Sequence, residues 1–131
     1  MRPDHQQLSD LQLAVMRALW DRGEATAADV HADLVQTREL APTTVATMLS
    51  RLEKKGLVAH RTEGRMYVYR AEVEETTVRR SMTSRVTDLF FGGNPAALVS
   101  HLVDEGEIEP GDLQELKALI QQLESREDSH G

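Results

Sequence analysis

Residues 41–56, APTTVATMLSRLEKKG, decide how the rest of the chain is read. Val45, Met48, Leu49 and Leu52 recur at spacings of three, one and three, which puts them on one stripe of a helix. The other side carries Thr43, Thr44, Thr47, Ser50, Arg51 and Lys54. Pro42 suits the first helical turn, where its missing N–H has no intrahelical partner in any case. Gly56 suits the left-handed position that ends a helix. Small hydroxyls followed by Arg and Lys have the chemistry of a helix that lies in a DNA major groove. An ordinary amphipathic surface helix has the same pattern, so the flanking sequence must decide.

Upstream, Ser9 stands three residues before Gln12, the signature of a capping box. Leu11, Val15, Ala18 and Leu19 then form an apolar stripe, with Met16 and Trp20 beside it, and Gly23 stops this helix. Trp20 is expected in the core. Glu24 to Thr26 read as a short connection able to make a single β-bridge. Thr26 caps a second helix with Asp29 at the third helical position, and Val30, Leu34 and Ala27 face inward. Helix, helix, short turn, helix is the order of a helix-turn-helix unit.

Downstream the period changes from 3.6 to 2. Leu57 to Arg61 read as a strand, Thr62 to Arg65 as a tight turn and Met66 to Arg70 as the returning strand. Tyr67 and Tyr69 share one face of it. Three helices and a hairpin make a winged helix-turn-helix domain, with Arg61 and Arg65 on the wing within reach of phosphate or the minor groove. The candidate DNA-binding residues are therefore Thr43, Thr44, Thr47, Ser50, Arg51, Lys54, Arg61 and Arg65.

Charge distribution agrees with this better than total charge does. The 131 residues carry a formal net charge of −7, yet residues 1–71 hold ten Lys/Arg against nine Asp/Glu, whereas 72–131 hold five against thirteen. Residues 51–70 hold six basic residues against Glu53 and Glu63. One basic stretch thus lies inside an acidic chain. The chain has no cysteine, hence no disulfide, thiolate metal site or cysteine nucleophile. It has no apolar run of about 18 residues, and its start lacks the apolar stretch of a signal peptide. A cytoplasmic location is expected.

From Val73 the pattern returns to helix. Val78, Met82, Val86 and Leu89 follow spacings of four, four and three, and Phe90 and Phe91 precede Gly92-Gly93. A second helix after Asn94-Pro95 carries Leu98, Val99, Leu102 and Val103. A third, opened by Pro110, carries Leu113, Leu116, Ile120 and Leu123 in a heptad-like seam that Leu119 widens. The tail from Ser125 is polar and expected to fray. These broad apolar faces have few neighbours within one chain, and a second copy is the simplest cover. The residues expected in such a dimer are Met82, Val86, Leu89, Phe90, Leu98, Leu102, Leu113, Leu116, Ile120 and Leu123. A two-fold dimer also places two recognition helices roughly 34 Å apart. The fold class is mainly α with a small β-hairpin: a winged helix-turn-helix DNA-binding domain over 1–71, then a helical dimerisation domain over 72–131.

At this point the chain resembles the penicillinase-repressor family, which includes β-lactamase, methicillin-resistance and copper-responsive repressors. The resemblance lies in LQLAVMRALW (11–20), PTTVATMLSRLEKKGLV (42–58), RMYVYR (65–70) and the 89–102 stretch around Gly92-Gly93. It runs over about residues 8–123. It implies a dimeric repressor that binds a palindromic operator, with Thr43, Thr44, Thr47 and Arg51 as recognition-helix contacts and Arg65 in the wing. The staphylococcal members have a Lys where this chain has Thr43 and an Arg where it has Ala46, so the operator is not expected to be the same. In the β-lactam members a membrane-bound sensor metalloprotease leads to cleavage of an Asn–Phe bond, which aligns with His101–Leu102. The residue types differ there. The copper-responsive members use a cysteine cluster that this chain lacks.

An enzyme is not expected. The five histidines, His5, His31, His60, His101 and His130, show no metal-ligand spacing, and there is no phosphate-binding glycine loop. No cofactor or metal is expected. Two other uses stay open: a ligand-responsive regulator with a pocket near Met82, Phe90 and Phe91, and a winged helix used for protein–protein contact. The clustered Lys/Arg argue against the latter.

Overall fold

The computed structural model describes residues 8–130, and the side chains of residues 8–127. The elements are α1 (Asp10–Arg22), α2 (Ala27–Leu34), α3 (Pro42–Lys54), β1 (Val58–Glu63), β2 (Met66–Ala71), α4 (Glu75–Phe91), α5 (Pro95–Asp104) and α6 (Pro110–His130). Among the described residues no helix is long and apolar enough to cross a membrane.

The helix starts follow from capping chemistry. The Ser9 hydroxyl accepts from the Gln12 amide while the Gln12 side chain accepts from the Ser9 amide, and Thr26 and Asp29 repeat the arrangement at α2. α3 has Ala41 as N-cap and Pro42 at its start. It ends in a Schellman motif: the Gly56 amide donates to Glu53 at 2.9 Å and the Leu57 amide to Leu52 at 3.0 Å, with Gly56 at φ +82°. Leu52 and Leu57, the pair such a motif brings together, are both fully buried. Leu57 therefore belongs to the helix stop rather than to β1, and the strand begins at Val58.

The hairpin is longer and its turn tighter than expected. Thr62 and Glu63 continue the antiparallel ladder opposite Tyr67 and Met66, so only Gly64 and Arg65 form the turn. A two-residue turn with glycine first, here at φ +64°, matches the twist of the flanking strands better than a wider loop. Ala25 exchanges both backbone hydrogen bonds with Tyr69, at 2.9 and 2.8 Å, and so adds the expected single bridge to β2.

One core holds these elements together. Val15, Met16 and Leu19 of α1, Val30 of α2, and Val45, Leu49 and Leu52 of α3 are fully buried, joined by Leu57, Val58 and Tyr69. Val78 from the first turns of α4 completes it. Trp20, expected inside, sits half-buried at its edge because its indole N–H needs a partner and finds the Val73 carbonyl at 2.9 Å.

The chain divides into two compact units, Met1–Arg85 and Val86–Gly131. The division falls inside α4, whose start belongs with the first unit because Val73, Val78 and Met82 pack on the amino-terminal core. Met82, one of the residues expected in a dimer, is half-buried and packs against the core of its own chain. The second unit comprises the end of α4, α5 and α6. Asn94 caps α5 through its side chain. α6 continues to His130, past the Ser125 where fraying was expected. The expected amino-terminal tail lies, through residue 7, outside the described residues.

Candidate nucleic-acid interface

α3 buries Val45, Leu49 and Leu52 and half-buries Met48, which leaves the opposite face to solvent. Thr43, Thr44, Ala46, Thr47, Ser50, Arg51 and Lys54 are all exposed, and the described residues offer no carboxylate partner to Arg51 or Lys54. The two cations stand at the helix's carboxyl-terminal end, favoured by its dipole. The polar face thus presents hydroxyl groups in its first turns and two free cations in its last.

The two wing arginines differ in their surroundings. Arg65 is exposed at the turn and has no ion-pair partner among the described residues. Arg61 is already engaged: its Nε and Nη2 donate to the two oxygens of Glu24 at 3.1 Å each, and its Nη1 donates to Glu63 at 2.6 Å. These bonds raise the Arg61 pKa and hold the Glu24 carboxyl below its ordinary range. Arg70 is similarly held near Glu72, at 3.4 Å. Of the basic residues of the 51–70 stretch, Arg51, Lys54, Lys55 and Arg65 have no ion-pair partner among the described residues.

Sequence spacing did not reveal a cluster beside this surface. His60 on β1 donates from Nδ1 to the Glu53 carboxylate of α3 at 2.8 Å. Its ring stacks on Tyr67 at a centroid distance of 4.0 Å and an interplanar angle of 14°, with Tyr69 tilted against both. Tyr69 is buried and Tyr67 is 52% exposed. Burial, and then the nearby Glu53 charge, push the Tyr69 hydroxyl pKa up. A possible signal lay in the alternation of His60, Tyr67 and Tyr69 onto one hairpin face, but the link to Glu53 needed the fold.

The second unit contrasts with this. Of the twelve exposed large apolar side chains among the described residues, nine lie in it: Val86, Leu89, Phe90, Val99, Val103, Leu113, Leu119, Ile120 and Leu123. Phe90 is 77% exposed. Leu98, Leu102 and Leu116 are half-buried, and α5 buries no residue. His101 is exposed in α5 with its ring 5.7 Å from that of Phe91, so the His101–Leu102 bond lies within a helix. Among the described residues no group of His, Asp and Glu could hold a metal ion.

Three helices with a hairpin packed on them, and a recognition-type helix turned to solvent, define a winged helix-turn-helix domain, the fold of transcription regulators. Residues 8–122 match the penicillinase repressor family, and the chain belongs to it. This is a family of transcriptional repressors, not of enzymes. The chain is similar to the penicillinase repressor of Bacillus licheniformis, 28% identical over 120 residues, which cover 92% of this chain and 94% of that protein. It is similar to the methicillin resistance regulatory protein MecI of Mammaliicoccus sciuri, 22% identical, over 87% of this chain and 93% of that one. The solution structure of the DNA-binding domain of the repressor BlaI matches at 37% identity with a TM-score of 0.50. It covers 56% of this chain and 89% of that one.

Proposed function

We propose that this repressor works as a cytoplasmic homodimer on a palindromic operator. Each protomer inserts α3 into the major groove of one half-site and lays Arg65 of the wing beside it. The observation that carries the DNA contact is the outward face of α3, with Thr43, Thr44, Thr47, Ser50, Arg51 and Lys54 exposed and both cations without an ion-pair partner among the described residues. Arg51 is the side chain able to read a guanine, and Ala46 offers apolar contact to a thymine methyl. The observation that favours a dimer is the set of apolar side chains left in solvent in residues 86–130. Burying them against a second copy removes the patch and fixes the half-site spacing.

Derepression by cleavage in the second unit, through a membrane sensor metalloprotease encoded nearby, fits this division. A cut in α5 at His101–Leu102 detaches α6 and its exposed Leu113, Leu119, Ile120 and Leu123 from the DNA-binding unit. Because that bond is helical, cleavage requires α5 to unwind locally first.

Selection of duplexes from a randomised pool on the full chain tests the DNA reading. The expected product is a palindrome whose half-site centres lie about one helical turn apart. Affinity for it should fall with salt, with a log–log slope of about −0.9 per neutralised phosphate. Arg51→Ala should lose roughly 1–3 kcal/mol on the selected site. Failure to enrich any duplex, or binding indifferent to salt, contradicts the reading.

A further inference from the structure

We propose that two side-chain contacts, the Glu53–His60 hydrogen bond and the Glu24–Arg61 ion pair, are struts that hold the wing at a fixed angle to α3, so that Arg65 meets the same DNA as Arg51; this rests on the DNA-binding reading above. Consecutive strand residues point to opposite faces, so His60 and Arg61 leave β1 on opposite sides of the hairpin. His60 is tied to α3 through Glu53 at 2.8 Å. Arg61 is tied to the α1–α2 connection through both oxygens of Glu24 at 3.1 Å. The hairpin is thus braced from two sides.

The tip needs bracing. Residues 62–67 are all exposed, so no core contact positions them. The base is fixed by the Ala25–Tyr69 bridge and by buried Val58, Val68 and Tyr69. An isolated two-stranded ribbon beyond such a base is marginal. Each strut extends towards the turn: His60 stacks on Tyr67, and Arg61 also binds Glu63, the residue before Gly64. Arg61 therefore serves as a positioning residue rather than as a phosphate contact. The two carboxylates have no evident benefit on a DNA-binding face by charge alone, since each repels phosphate.

That repulsion makes the test one of sign. Loss of a carboxylate beside DNA tightens binding if only charge matters. If Glu53 and Glu24 are struts, Glu53→Ala and Glu24→Ala weaken binding to the duplex selected on the wild-type chain by about threefold to tenfold, as for residues coupled in one network. Glu53→Gln, which keeps an acceptor for the His60 N–H and loses the charge, binds at least as tightly as wild type. The Arg65→Ala penalty, present in the wild-type background, shrinks towards nothing in Glu53→Ala and in Glu24→Ala. Melting temperatures of the variants stay close to wild type, because single solvent-accessible polar contacts of this kind contribute little to stability. Unchanged or tighter binding by either alanine variant, or an Arg65→Ala penalty the same in every background, overturns the inference. A wild-type chain that enriches no duplex fails the DNA reading itself, and the two failures are thereby distinguished.

Discussion

The two units of this chain use their apolar residues in opposite ways. In residues 8–85 the leucines and valines of four helices converge on one core, and Leu49, Leu52 and Leu57 have no exposure at all. In residues 86–130 helices of similar composition leave nine large apolar side chains in solvent. The first unit satisfies its hydrophobic pattern internally and can spend its polar faces on DNA. The second has an unsatisfied pattern, and in the proposed dimer that pattern is the interface. Amphipathicity alone does not distinguish core from interface; what differs is whether the chain supplies the opposite wall.

The comparison can be broken most forcefully in the core. Leu49→Ala should cost about 2–5 kcal/mol of unfolding free energy, since the side chain is fully enclosed and the cavity cannot be filled by solvent. The loss should be independent of protein concentration in denaturant titrations. Ile120→Ala sharpens the contrast. Its side chain is half-exposed in the isolated chain, so its effect should appear as a higher dimer dissociation constant and as a melting temperature that depends on concentration. A concentration-independent loss as large as that of Leu49→Ala would mean that α6 is buried within its own protomer.

The smallest effect is in pH. A hydrogen bond from Arg22 holds the Asp33 carboxyl below its ordinary range, as Arg61 does for Glu24 and the Thr26 backbone and hydroxyl do for Asp29. A carboxyl whose folded pKa is depressed adds stability that is present above its unfolded value and is lost as pH falls through the folded one. The first unit should therefore loosen on acidification below the ordinary carboxylate range. Asp33→Asn should make the acid limb of a melting-temperature series shallower, and an unchanged limb would contradict this.

Much of the fold was legible because it is written locally. The Ser9 and Thr26 capping boxes, the α3 stripe and the Gly56 stop depend on residues within one or two turns of each other. The exposed face of α3 follows from the same stripe, and so the candidate site was largely legible too. What escaped depends on distance along the chain. Arg61 reads as a free wing cation until Glu24, thirty-seven residues earlier, is brought beside it. The packing of Met82 on the amino-terminal core likewise depends on the fold, since Val78 and Trp20 fasten the start of α4 to the first unit. Thr62 and Glu63 read as turn residues because both are polar, yet on an exposed hairpin polar residues suit a ladder equally well.

Sedimentation equilibrium of the full chain over a wide concentration range tests the central claim, that residues 86–130 keep their apolar faces for a second copy. The account predicts a dimer mass that falls towards monomer only on dilution, with Ile120→Ala shifting the transition to higher concentration. A wild-type chain that stays monomeric throughout the range, and is well folded and soluble, would contradict it.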